Sequence, residues 1–183
     1  MRRLVLIVAT LSWPSAARAA QPIDERATIQ AERQWHAGID FGYALGSFTV
    51  GGLNGFAGGL HLAYGVSDAF NLRLHADMSA FDLPEATGAF LYYAGFGAEY
   101  LIDVLEWVPY VGLVTGPVYI AVQNGDDAWD VGIEPIIGLG YRLSPQFTVG
   151  AEARFRQLLL RRNESVPSAE IFALARFEYT WTW

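Results

Sequence analysis

From Trp35 to Trp183 large apolar residues recur at every second position, with small or charged residues between them, and nothing else in the chain constrains its fold as strongly. A period of two belongs to an extended strand, whose successive side chains point to opposite faces. In WHAGIDFGYAL, Trp35, Ala37, Ile39, Phe41, Tyr43 and Leu45 share one face, opposite His36, Gly38, Asp40, Gly42 and Ala44. FNLRLHADMSA sets Phe70, Leu72, Leu74, Ala76 and Met78 against Asn71, Arg73, His75, Asp77 and Ser79. The closing RFEYTWTW sets Phe177, Tyr179, Trp181 and Trp183 against Arg176, Glu178, Thr180 and Thr182.

Eight segments read this way, each of roughly 10 to 14 residues. Short turns such as SDA and SPQ alternate with longer stretches rich in Gly, Pro or acid. GSFTVGGLNG, FDLPEATG, Pro117 to Ala128 and Leu160 to Ser168 read as the long loops. The fifth segment, 107–116, has no readable facing, because both of its faces are apolar or Gly. Strict long-short alternation suits an up-and-down barrel with one plain and one decorated end, and not a sandwich whose connections swap sheets.

Two barrel types compete, a soluble carrier with an apolar interior and a membrane barrel with the reverse. In the seven clear segments every Arg, Asp and Glu lies on the Gly-rich face. Gly on that face leaves room for long charged side chains in a narrow interior. The charges therefore point in, and the aromatic and aliphatic face points out into hydrocarbon. The expected fold is all-β: an eight-stranded antiparallel up-and-down transmembrane β-barrel, closed by pairing of the first and last strands so that no edge meets lipid. Trp35, Tyr64, Phe70, Tyr100, Trp107, Tyr141, Phe147, Trp181 and Trp183 form a girdle beside the turns. Tyr43, Phe56, Phe90, Tyr92, Tyr119, Trp129 and Phe155 form one beside the loops.

The start of the chain has Arg2 and Arg3, an apolar run Leu4 to Trp13, and Ala17-Arg18-Ala19 as an A-x-A site. This predicts a signal peptide over 1–19, a short periplasmic segment over 20–34 and the barrel over 35–183. Without the three leader arginines the formal charge is −10 and no lysine remains, which argues against nucleic acid as a partner. There is no cysteine, so stability comes from a core or a membrane and not from disulfides.

The leader, the eight alternating segments, the short turns at one end and the final FEYTWTW resemble the small eight-stranded outer-membrane barrels of Gram-negative bacteria, of the outer-membrane protein A and X type. The resemblance covers Trp35 to Trp183, the barrel alone. It implies an outer-membrane location with both termini periplasmic, monomeric, among outer-membrane lipids and lipopolysaccharide. It also implies that Phe177, Tyr179, Trp181 and Trp183 are the signal read by the barrel-assembly machinery.

Inside, Arg73, Arg142, Arg154, Arg156 and Arg176 can meet Asp40, Asp77, Glu99, Glu134, Glu152 and Glu178. Register across the SPQ turn pairs Arg142 with Thr148 and Glu134 with Arg156. A turn centred on Asp68 places His61 opposite His75, with Asp40 at similar height; Asp40, His61 and His75 are a candidate metal trio, but the expectation is a polar lumen network without a metal. His75, Asp77 and Ser79 share a face, but neighbours on one face of a strand are about 7 Å apart, which argues against a nucleophile–base pair. No His-x-Ser pair of the lipid A deacylase kind occurs. No cofactor is expected. The expected role is non-enzymatic, in membrane integrity or surface interaction through the loops. The alternatives are a small low-conductance pore and a lipid A-modifying enzyme.

Overall fold

The computed structural model describes residues 33–48, 51–83, 87–102, 106–123, 125–160 and 167–182. The expected signal peptide and all but the last two residues of the 20–34 segment lie outside them, as does Trp183. Eight strands follow in order: β1 Trp35–Phe48, β2 Gly51–Gly65, β3 Phe70–Leu83, β4 Thr87–Leu101, β5 Trp107–Val122, β6 Ala128–Arg142, β7 Phe147–Leu158 and β8 Ala169–Trp181. Each pairs antiparallel with the next, and β8 pairs with β1, Ile39 beside Phe177 and Asp40 beside Arg176, to close the barrel.

The facing follows the alternation. Ile39, Phe41, Leu60, Leu74, Phe96, Ile137 and Phe177 are exposed on the outer wall, while Asp40, Arg73, Asp77, Glu99, Glu134, Glu152, Arg154, Arg156, Arg176 and Glu178 are buried inside. Among described strand residues, the only charged side chain on the outer face is Asp82, at the loop end of β3. A soluble protein would not present so continuous an apolar wall; it is the surface of a barrel that hydrocarbon surrounds. Aromatic rings meet around the turn end: Trp35 with Tyr64 at 4.8 Å, Trp35 with Trp181 at 6.5 Å, Phe70 with Tyr100 at 5.0 Å, Trp107 with Tyr141 at 4.8 Å and Phe147 with Tyr179 at 5.1 Å. Nearer the loops, Tyr119 meets Tyr92 at 6.2 Å and Trp129 at 4.9 Å.

Three of the expected long loops are shorter than the sequence suggests. GSFTVGGLNG is mostly ladder, with Gly46 opposite Leu53 and Phe48 opposite Gly51. FDLPEATG shrinks to the three residues between Leu83 and Thr87, and β5 runs on through Pro117 to Val122. In isolation Gly and Pro look like breakers. In a closed sheet a hairpin arm continues as long as its neighbour offers a ladder. Pro117 still pairs with Val131 on β6, whereas the Ala94–Gly95 stretch of β4 that faces Gly116 and Pro117 carries no pairing. This is the expected consequence of a missing N–H. The fourth loop, between Leu158 and Ala169, is long as expected.

β5 also gains its facing. Val108, Tyr110, Val114, Val118 and Ile120 turn inward, and Trp107, Val111 and Leu113 turn out. Its two apolar faces serve two surroundings, lipid on one side and an apolar sector of the lumen on the other.

Candidate functional site

The lumen holds nearly all the chemistry the chain carries. Glycines on the inner wall make space for it. A Cβ on Gly138 would collide with Cζ and the hydroxyl of Tyr110, so only glycine leaves room for that ring. From there the Tyr110 hydroxyl donates to Oε2 of Glu152 at 2.6 Å.

Four arginines organise the interior. Arg156, fully buried, donates from Nε to Glu134 at 2.8 Å, from Nη2 to Asp77 at 2.6 Å and from Nη1 to Glu170 at 3.1 Å. Its guanidinium also lies 4.0 Å from the Tyr93 ring centre and 4.8 Å from that of Phe172. Arg154 reaches Asp40 at 2.6 Å and Asp77 at 3.3 Å, and contacts Glu152. Arg73 binds Glu152 through both terminal nitrogens, at 2.9 and 3.1 Å, and contacts Glu99. Arg176 donates to Glu152 at 2.9 Å and contacts Glu178. Such bidentate and shared contacts are what buried ions need to offset lost hydration.

The three histidines each lean on carboxylates. His36 Nδ1 lies 3.0 Å from Glu178, and His61 spans Asp40 at 2.9 Å and Glu178 at 3.1 Å. His75 Nε2 lies 2.8 Å from Asp77. Of the candidate metal trio, His61 and His75 stand opposite each other in register. Their rings then diverge: His61 stays with Asp40, while His75 turns to Asp77 and Glu134 on β6. The physical reason is local: Asp77 follows His75 on the same strand face and reaches its Nε2, whereas Oδ2 of Asp40 is shared by His61 and Arg154. Arg142 pairs with Thr148 in the register set by the SPQ turn, and Glu134 meets Arg156 through their side chains where the β6–β7 ladder is interrupted beside Pro135. Arg142 itself is half-buried at the turn end.

His75 and Asp77 do touch, because side chains on one strand face can bend toward each other across the ~7 Å backbone spacing. Ser79 does not join them; its hydroxyl donates to Glu170 at 2.6 Å. The described lumen thus assembles no nucleophile–base pair from these three. Glu170 and Tyr110 are members that the sequence reading passed over. Glu170 shares the parity of Arg176 and Glu178 and was findable; Tyr110 lay on the strand without a readable facing.

The lumen is also not polar throughout. Ala44, Ala57, Phe81, Ala89, Leu91, Val118, Ile120, Leu158 and Phe172 pack into one apolar layer at the loop end, above the Arg156 cluster. Toward the turn end there is a cavity of about 20 Å³ lined by Asn71, Glu99, Tyr110, Thr148, Arg176 and Glu178, among others. That is room for about one water.

No family model matches the sequence, and no curated protein does. Solved structures match throughout the barrel. Neisserial surface protein A superposes with a TM-score of 0.63 at 20% identity, covering 81% of this chain and 97% of that one. The N-terminal barrel domain of Pseudomonas aeruginosa OprF gives 0.60 at 14% identity, covering 83% and 100%. Ail, the attachment invasion locus protein of Yersinia pestis, gives 0.52 at 12%, covering 82% and 99%. With its apolar wall, charged lumen and closed eight-strand order, the chain has the fold of the small outer-membrane β-barrels of the outer-membrane protein A and X type.

Proposed function

We propose that the protein is an integral outer-membrane barrel, monomeric, with both termini periplasmic, that acts without catalysis and without conducting ions. It serves membrane integrity and presents its hairpin tips at the cell surface. The observation that carries this is the filling of the lumen: a fixed arginine–carboxylate lattice under a packed apolar layer. An eight-stranded barrel is just wide enough for side chains to fill, and these do. The outward Phe177, Tyr179 and Trp181 of β8, with Trp183 outside the described residues, act in this reading as the sequence that the assembly machinery binds.

The surface chemistry narrows the partner. Asp82, Asp126 and Asp127 are exposed at the loop end, and Tyr119 donates to Asp127 at 2.5 Å. Divalent cations shared with lipopolysaccharide phosphates suit such tips, and Arg161 and Arg162, outside the described residues, have the side-chain chemistry to bind phosphate. Ail has been crystallised with the heparin analogue sucrose octasulfate.

Planar bilayers containing the purified barrel are expected to show no discrete conductance steps. Truncating the apolar layer, as in Phe172→Ala with Leu91→Ala, is expected to introduce leak. Regular steps from the unaltered protein would overturn the sealed-lumen reading in favour of a small pore. Lipid A from an expressing host is expected to keep its mass; an added or lost acyl chain would make the protein an enzyme instead.

A further inference from the structure

Three buried oxygens without hydrogen-bond partners belong to neighbouring lumen residues, Oδ1 of Asp77, Oη of Tyr93 and Oε1 of Glu134, and beside them stands His75, whose Nε2 faces Glu134. Native proteins rarely leave such atoms unpartnered, and a group of them points to something that belongs between them. Tyr93 stands opposite Asp77 and Gly95 opposite His75 on the β3–β4 ladder. A Cβ on Gly95 would lie 2.6 Å from the Tyr93 hydroxyl, so the phenol oxygen lies over the wall beside His75. The two rings are 5.0 Å apart. Glu134 comes from across the lumen, its Oε1 3.3 Å from His75 Nε2 yet not hydrogen-bonded to it. One donor atom from each of His75, Asp77 and Glu134 lies within 4.8 Å of the other two. Glu134 is 0% exposed, His75 4% and Asp77 8%.

We propose that His75, Asp77 and Glu134 hold one divalent transition-metal ion of the zinc class inside the barrel, beneath the Tyr93 hydroxyl. One imidazole and two carboxylates are a donor set that such ions accept. Ligand atoms about 2.1 Å from a tetrahedral ion sit roughly 3.4 Å from each other. The 3.3 Å separation of His75 Nε2 and Glu134 Oε1 matches that edge. His75 Nε2 gives up its 2.8 Å contact with Asp77 Oδ2 to take the ion, while Arg156 and Arg154 keep that oxygen and leave Oδ1 to ligate. Their positive charge opposes a cation, and Arg154 Nε stands 3.9 Å from Glu134 Oε1. The lumen as a whole favours one: eight buried carboxylates (Asp40, Asp77, Glu99, Asp130, Glu134, Glu152, Glu170 and Glu178) face four buried arginines. This site differs from the trio of Asp40, His61 and His75 that the strand register alone suggests, and it does not depend on the surface role proposed above.

The test refolds the mature chain from urea into detergent micelles with zinc chloride or cobalt chloride, removes free metal by gel filtration and measures metal per chain. One zinc per barrel is expected, with X-ray absorption showing a nitrogen and oxygen shell that includes imidazole. The cobalt form is expected to show the visible absorption of a low-coordinate site. His75→Asn and Glu134→Gln are expected to lose the metal, while His61→Asn keeps it. Barrels that fold without stoichiometric metal would overturn the proposal and assign the orphan atoms to water. Equal metal in all variants would overturn it too, as an adventitious ion only, held by the acidic tips. Where a variant does not fold, the absorption spectrum of the unaltered protein decides: a shell without imidazole contradicts the site.

Discussion

Arg156→Met is expected to lower the unfolding free energy of the barrel by about 3–5 kcal/mol, the usual cost of stripping one partner from a buried ionic cluster. Arg156 joins Asp77, Glu134 and Glu170, from β3, β6 and β8, in one fully buried contact set. Methionine fills much of the volume but leaves three carboxylates facing each other. Its loss also removes the cation–π contacts with Tyr93 and Phe172. Urea unfolding in lipid vesicles, followed by tryptophan fluorescence, measures the effect. Adding Glu134→Gln and Glu170→Gln to Arg156→Met is expected to recover part of the loss, because the repulsion and desolvation disappear together. Asp127→Asn, on an exposed tip, is the comparison and is expected to stay within about 0.5 kcal/mol. A small effect at Arg156 would mean that water reaches this cluster and that the lumen is not sealed there.

The second large effect lies on the opposite face. Phe96 sits midway between Tyr100 and Tyr92 on β4 and is 66% exposed on the outer wall. In water Phe96→Arg would be harmless. In a bilayer it is expected to cost about 2–4 kcal/mol, because the guanidinium then stands at mid-membrane. Tyr100→Arg, in the turn-side girdle four residues away, is expected to cost about 0–1 kcal/mol by the same depth dependence. The difference between the two sites is the informative quantity, since both replace an exposed aromatic residue by the same cation. Equal costs would remove the argument that the apolar wall meets hydrocarbon.

The sequence made the facing of the strands legible because a single arginine on the wrong face would be so costly. The absence of charge on one side of seven segments is a physical constraint, and Arg73, Glu152 and Arg154 lie inside as it requires. Register was legible where a short turn fixed it, as for His61 with His75 and Arg142 with Thr148. Three things were not legible. Hairpin lengths were underestimated because Gly51, Gly52 and Pro117 look like breakers in isolation, while their ladder partners lie elsewhere in the chain. The apolar layer was not legible because Phe81, Val118 and Ile120 fall in stretches that read as loops, and only the continued ladder turns them into the lumen. That His75 meets Asp77 and Glu134 while His61 keeps Asp40 depends on which side chains cross the lumen, which no single strand records.

All of this depends on which wall meets lipid, and the chain's lack of cysteine makes that directly measurable, since any introduced thiol is unique. Spin labels placed one at a time at Leu60, Leu74, Phe96, Leu113 and Ile137, all exposed outer-wall positions, can be read in vesicles for collision with oxygen and with a water-soluble nickel complex. The account predicts high oxygen access and little nickel access at all five. Strong nickel access at these positions, with the same protein monomeric in buffer without detergent, would contradict it.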